Sequence, residues 1–371
     1  MYPSPLQGEY QIKILVFNWR DPNNPDAGGA EQFTHQIEKR WVKWGHQVTQ
    51  FSAAFKGCLP EEEIDGVRIV RGGNRFTVYR HARKFYKDSD RFDVVVDEIN
   101  TIPFNAPTFV NRGEKLFALI HQLAREFWYY ETPFPVGYFG NHFLEDRWLK
   151  KYADMDVITV SNSTMDDLRA LGFKKLHLVH EGYDFQPLST VGEKENIPTI
   201  IYVGRFKKVK LPDHALKAFQ IAKARMPDLR MWMVGMGYMQ PKLKKLEVKD
   251  VTFYGRLQLE EKSRLVSRAH VIVVPAVREG WGLVVTEANA MGTPAIGYRV
   301  PGLRDSIKDG KTGLLCDPNP TAMAETIVSL LSQEEKRIEL SKNALEDAKE
   351  YNWDRTAREF IDLFEGNNKS E

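Results

Sequence analysis

Cysteine is nearly missing: Cys58 and Cys316 are the two in 371 residues. Far apart in the chain, they suit a reducing compartment with free, buried thiols rather than a disulfide framework. Long apolar runs are missing too. None approaches the roughly 20 residues that span a bilayer. The opening "MYPSPLQGEY" lacks a charged stretch followed by an apolar core, so a secretion signal is not expected and a cytoplasmic location is. Nor is there an excess of either charge. Lys and Arg total 52 against 50 Asp and Glu, a net +2. This argues against bulk electrostatic binding of nucleic acid and makes any basic surface local.

What is present is a soluble composition in a chain longer than one ordinary core, so two domains are expected. "IKILVF" (12–17) is a short apolar β-rich run. After a polar loop, Phe33, Ile37, Trp41 and Trp44 recur on one helical face, closed by Gly45 as a C-cap signal. "QVTQFSA", "VRIVRG", "FDVVVDE", "KLFALIH" and "DVITVS" are further strand-like runs between helical or irregular segments. Such alternation predicts an open α/β parallel sheet with helices on both faces. The pattern pauses at "QPLSTVGEKENIP", which is polar and holds two prolines, and then restarts with "TIIYVG". The expected divisions are 1–185 as an N-terminal Rossmann-like domain, 186–197 as a linker and 198–351 as a C-terminal Rossmann-like domain. Two such units leave a cleft at the carboxyl ends of their strands, where ligands of these sheets bind.

"REGWGLVVTE" (278–287) follows the apolar run "HVIVVPAV". Gly280 and Gly282 allow a sharp turn and a close ligand approach. A helix from about Leu283 would begin with free backbone N–H groups, a ready anion site. Glu287 lies one turn in, and Glu279 sits across the loop. Carboxylates beside an anion are useful only if they accept hydrogen bonds from hydroxyls of the same ligand. A sugar nucleotide has that combination; two solvated surface acids are the plainer alternative. "YVGRFKKVKLPDHALKAF" places Arg205 and Lys210 after another strand, either as a solvated basic loop or as cations that neutralise a departing diphosphate.

The run "YVGR…K", "VGMG", "VTFYG", "VPAVREGWGLVVTEANAMGTPAIG" and "DGKTGLLCDP" resembles family 4 of the retaining glycosyltransferases (glycosyl transferases group 1), which have the two-Rossmann GT-B fold. The C-terminal half matches nearly throughout. The N-terminal half matches more loosely, through "AGGAE", "ALIHQ" and "DVITVSNSTMDDL". The resemblance implies a hexosyltransferase-type enzyme in which Arg205 and Lys210 grip the diphosphate with the backbone of Gly282 and Leu283. It implies that Glu279 contacts hydroxyls of the transferred sugar and Glu287 the ribose, with Arg256 and Leu257 near the base. Gly28 and Gly29 would open the first helix beside the reacting phosphate and acceptor, and His121 would face the sugar. The last helix, 352–371, would cross back to the N-terminal domain. Leu211 stands where the family usually has Gly, and Glu181 where Asn is common; neither is expected to touch the residues assigned to chemistry.

The expected reaction moves a sugar from a nucleotide-diphosphate donor, a UDP-sugar ahead of a GDP-sugar, to an acceptor hydroxyl with retention. No cofactor and no metal are expected. "DMD" (Asp154–Asp156) precedes its strand, whereas a metal-binding pair would follow one. "AGGAEQ" and "GMGYMQ" both lack the G-x-G-x-x-G fingerprint, which demotes a dehydrogenase. An epimerase on the same fold and a non-catalytic nucleotide-sugar-binding protein are the alternatives. For the acceptor, residues 71–91 form a basic segment in which Val78, Ala82 and Phe85 make a helical stripe opposite Arg80, Arg83, Lys84 and Lys87. With the aromatic "REFWYYETPFPVGYFGNHFLEDRWLKKY", it points to a lipid-linked or anionic membrane-surface acceptor and peripheral attachment. The plainer alternative packs the stripe on the sheet and leaves the charges solvated.

Overall fold

The computed structural model describes residues 11–183 and 186–367. The opening ten residues and the domain boundary expected at 185 lie outside them. The chain divides into two compact units. One takes in the chain up to Arg125, Phe139–Gly182 and the chain from Asn352 onward; the other takes in Glu126–Tyr138 and Tyr183–Tyr351.

The first unit is built on β1 (Lys13–Phe17), β2 (Gln47–Ser52), β3 (Glu61–Ile64), β4 (Val67–Arg71), β5 (Val94–Glu98), β6 (Lys115–Leu119), β7 (Asp156–Thr159) and β8 (Lys175–Leu178). They form one sheet in the order β3-β4-β2-β1-β5-β6-β7-β8. All neighbours are parallel except β3 and β4. β5 ("VVVDE") is buried along its whole length, the signature of a strand covered on both faces. The two edge strands, β3 ("EEEI") and β8 ("KLHL"), escape the sequence pattern because they are short and polar, a composition that blunts edge-to-edge pairing.

The helix Gly29–Lys43 covers this sheet with Phe33, Ile37 and Trp41 inward. The C-terminal helix Trp353–Glu365, capped by the Asn352 side chain on Arg355 N–H, packs against it within the same unit. Trp41 Nε1 donates to Ala357 O (2.9 Å), and Phe33 meets Trp353 edge-on at 5.4 Å.

In the second unit β9 (Thr199–Val203), β10 (Arg230–Val234), β11 (Val251–Gly255), β12 (Val271–Val274), β13 (Ala295–Tyr298) and β14 (Gly313–Cys316) form an all-parallel sheet, ordered β11-β10-β9-β12-β13-β14. Its core gathers Ile200, Phe206, Phe219, Met231, Val273 and Ile296 on one face and Ile201, Ile272, Val285 and Leu303 on the other. The stretch 186–197, expected as a linker, is tied down along this unit. Lys194 Nζ donates to Ser267 O, Gly292 O and Thr293 Oγ1 at 2.8–3.0 Å, and Glu195 pairs with Arg268 at 2.5 Å.

The strand order reverses between β1 and β5 in the first sheet and between β9 and β12 in the second. Loops leaving the carboxyl ends at such a reversal diverge to opposite faces and leave a crevice for ligands.

Candidate functional site

In the second unit, the residues singled out in the sequence converge on that reversal. The loop after β9 carries Arg205 and Lys210, and the loop after β12 carries Arg278 to Gly282. Val277 N–H donates to Val209 O at 3.0 Å, holding the two loops together. The Tyr202 hydroxyl, from β9, lies 3.3 and 3.2 Å from the carbonyls of Arg205 and Lys210 and ties the first loop to its strand. Lys210 Nζ then reaches both oxygens of Glu279, at 2.5 and 2.6 Å. Arg205 is half-buried at the start of the same loop.

Leu211, where the resemblance leads one to expect Gly, takes φ 46° and ψ 48°, a left-handed conformation. For a residue with a Cβ this costs roughly 1–2 kcal/mol. Burying the leucine side chain, which packs with Phe206, Leu216 and Phe219, returns about 1.5–3 kcal/mol. Burial wins, so the loop keeps the shape a glycine would allow.

Gly282 sits at φ +97° and opens the helix Leu283–Ala290. Glu287 is buried on that helix and pairs, through both oxygens, with Lys262 Nζ at 2.8 Å. Lys262 belongs to the helix Leu259–Arg268 and was not foreseen, because "LEEKSRL" reads as an ordinary solvated helix. Each of the two glutamates is thus matched by one lysine of a different element. Arg278 is a second unforeseen member: it is buried and bonds Glu126 at 2.8 Å. Following β11, Arg256 is exposed and Leu257 half-buried against the core.

In the first unit, Gly28 is the N-cap and Gly29 the first residue of the helix Gly29–Lys43. Gly28 N–H donates to Glu31 Oε2 at 2.6 Å, and Arg20 pairs with the same carboxylate at 2.7 Å. The Glu31 carboxylate thus caps the Gly28 N–H, with Arg20 beside it.

His121, just past β6, is buried. Its Nε2 lies 3.4 Å from Glu98 Oε1, at the end of β5, and its Nδ1 lies 3.6 Å from Glu181 Oε1. Glu181 was expected to stand clear of the chemistry; it instead flanks the histidine assigned to it. The reason is tertiary: the loop after β8 runs back over the end of β6. Burial by itself would depress the imidazole pKa, but Glu181 and Glu98 overcome it and push the value up to about 9. Burial raises Glu98, although Asn18 donates to it at 2.7 Å and Thr34 also bonds it. Glu38, wholly buried with no hydrogen-bond partner on either oxygen, is raised far above the carboxylate range by desolvation.

Arg80, Arg83, Lys84 and Lys87 all face solvent on the helix Val78–Asp88. Their helix has no free apolar face. Val78 and Ala82 are fully buried in the core with Phe51 and Val95, and Phe85 stacks on Phe51 at 5.1 Å. The stripe packs on the sheet, and the four basic residues are what the helix turns to solvent. Phe134, Val136 and Tyr138 are exposed in the second unit, and Phe139 and Phe143 in the first. Asp154 pairs with Lys174 and Asp156 with His177, both ahead of or at the start of β7. Among the described residues no helix is long and apolar enough to cross a membrane.

Residues 189–347 match the family described as "Glycosyl transferases group 1", and residues 27–186 match "Glycosyltransferase Family 4". A D-inositol 3-phosphate glycosyltransferase of Nocardiopsis dassonvillei is 31% identical, over 92% of this chain and 90% of the relative. Among solved structures, sucrose-phosphate synthase from Thermosynechococcus elongatus matches with a TM-score of 0.80 at 20% identity, over 95% of this chain and 98% of that one. Anabaena HepE, solved in complex with UDP and glucose, matches with a TM-score of 0.74 at 15% identity, over 96% of this chain and 100% of that one. The structures speak for the fold and the relative for the family: the chain belongs to the group 1, family 4 glycosyltransferases, with the GT-B fold.

Proposed function

We propose that this glycosyltransferase moves a sugar from a nucleotide-diphosphate donor to an acceptor hydroxyl with retention. The observation that carries the proposal is the convergence of Lys210, Glu279 and the Leu283 helix start at the strand reversal of the second sheet. An incoming diphosphate competes with Glu279 for Lys210. Once Lys210 turns to the phosphate, the Glu279 carboxylate is released to accept hydrogen bonds from the sugar hydroxyls. Glu287 does the same for the ribose, with Lys262 as the partner it leaves.

Retention requires the acceptor to arrive on the face the phosphate leaves. In this proposal the sugar passes through an oxocarbenium-like state, and a leaving diphosphate oxygen takes the acceptor's proton. Arg205, Lys210 and the first N–H groups of the Leu283–Ala290 helix stabilise the departing charge. These cations make turnover independent of metal, and full activity in EDTA is the expected result. A uridine donor is proposed ahead of guanosine, in keeping with the UDP-bound HepE neighbour.

The acceptor is proposed to bear phosphate, either free or as a lipid headgroup. The exposed Arg80, Arg83, Lys84 and Lys87 cluster and the name of the inositol-phosphate relatives support this. Anionic vesicles that float the wild-type chain but not the variant with all four residues changed to Ser would favour the headgroup. No flotation of either would leave a free phosphorylated acceptor.

Thermal stabilisation by UDP, GDP, ADP and their sugars tests the donor site. One nucleotide should give a large shift that Glu287→Ala and Lys210→Ala both lose. An equal shift in both variants would reject the assignment. Consumption of the sugar nucleotide with no acceptor present, yielding an isomeric sugar nucleotide, would mark an epimerase instead.

A further inference from the structure

Glu98 and Glu181 reach His121 from separate parts of the first unit, and each is itself fixed from behind. Asn18 (2.7 Å), Thr34 and Asn100 (3.4 Å) donate to the Glu98 carboxylate. Glu181 sits in a loop clamped by the C-terminal helix. Thr356 Oγ1 donates to His180 O at 2.7 Å. A Cβ at Gly182 would stand 2.5 Å from Trp353 N, so no side chain fits where that loop meets the helix start. Trp353 packs edge-on against Phe33 at 5.4 Å, and Phe33 against the His121 ring at 4.8 Å and 87°. The ring thus meets Phe33 in a perpendicular contact and has a carboxylate within ion-pair distance of each nitrogen, neither contact meeting hydrogen-bond geometry.

We propose that Glu181 is a positioning residue of the transfer reaction: together with Glu98 it clasps the His121 ring and sets the orientation and charge with which the ring meets the transferred sugar. This rests on the glycosyl-transfer reading above. Asn, common at this position in the resembling family, would leave one carboxylate at the ring.

The groups facing the ring account for its charge. Glu98 comes from β5 and Glu181 from the loop after β8. Phe33 and Thr34 of the first helix, Thr164 (bonded to His121 O at 3.0 Å) and Trp353 carry none. Glu31 acts on Glu98, and Glu98 in turn on Glu38. With two carboxylates against one imidazole, His121 holds both its protons at neutral pH. It therefore orients and polarises rather than removing the acceptor's proton, which leaves that proton to the diphosphate.

The test is an NMR titration of the histidine side chains in the full chain, with the His121 signal identified by its loss in His121→Asn. Wild type should titrate near pH 9 at this site, with Glu181→Gln lower by a unit or more and Glu181→Asp close to wild type. In turnover, Glu181→Gln should lose roughly tenfold in kcat at alkaline pH and little at acid pH, with donor KM unchanged, because one pKa unit is a tenfold change in the charged fraction. Should Glu181→Gln not fold, Glu181→Asn and Glu98→Gln serve in its place. A wild-type His121 that titrates at 6.5 or below, or a value unmoved in Glu181→Gln, would overturn the clasp. If wild type turned over no sugar nucleotide, the transfer reading would fail, while the titration would still decide the clasp.

Discussion

In the second unit each matched pair joins a lysine that reaches solvent to a buried glutamate: Lys210 with Glu279 on two strand-end loops, and Lys262 with Glu287 on two helices. Lys210 is about a quarter exposed beside Glu279, and Lys262 a fifth exposed beside Glu287. In the first unit a set of charges is sunk into the interior. The Arg71 and Asp21 side chains are wholly inaccessible and joined through two bonds of 2.7 and 2.8 Å, while Glu38, Asp97 and Glu98 are all desolvated. A pair whose lysine reaches solvent can exchange that lysine for an incoming ligand. A buried charge cannot give up its partner without a large desolvation penalty. The same kinds of residue therefore make exchangeable contacts in one unit and a fixed electrostatic frame in the other.

The sharpest way to break that contrast is Arg71→Met. It strands Asp21 without its counter-charge and should destabilise the first unit by about 3–5 kcal/mol, read from chemical denaturation. Lys210→Ala leaves Glu279 with partial access to solvent through the lysine's place and should cost clearly less than Arg71→Met. A similar loss in both variants would erase the distinction. In turnover the order reverses: Lys210→Ala should lower kcat by on the order of 100-fold, as for removal of an oxyanion donor.

Next in size is nucleotide affinity. Glu287→Ala should weaken binding by about 10–100-fold, the worth of a hydrogen bond to a charged group at about 1.5–3 kcal/mol. Lys262→Met should leave it within about fivefold, since a part-exposed pair contributes about 0–1 kcal/mol. Calorimetry on both variants checks this, and equal losses would make Lys262 a ligand contact in its own right.

The smallest expected effect is on pH dependence. His121 has its folded pKa raised to about 9 from 6.5, so its contribution is complete below pH 6.5 and is lost as pH rises toward 9. Burial pushes Asp97 up to about 6, and its contribution falls in the same direction at lower pH. The denaturation midpoint of the first unit should drop between pH 6.5 and 9, and His121→Asn should flatten that drop. A wild-type midpoint that does not fall over this range would contradict the raised pKa.

Legibility in the sequence followed the same division. "HVIVVPAVREGWGLVVTE" holds a buried strand, a turn and a helix start within 18 consecutive residues, so the second unit's loop and its two glutamates could be read locally. Lys262 and Arg278 could not be assigned, because their partners lie 25 and 152 residues away. The basic helix was legible as a helix, but whether its stripe faced the sheet or a membrane depended on Phe51 and Val95 in other strands. Glu181 was misjudged for the same reason. The strands missed were the edge strands, whose polar composition hides the apolar alternation that marks a core.

By itself the sequence determined the two α/β halves, the strand–turn–helix that follows β12 and the family resemblance, since each rests on contiguous residues and local periodicity. Tertiary structure alone decided which lysine answers which glutamate, and that His121 is held between two buried carboxylates. Those outcomes depend on desolvation and on distances between residues far apart in the chain, and neither quantity exists until the sheet order brings the strand ends together.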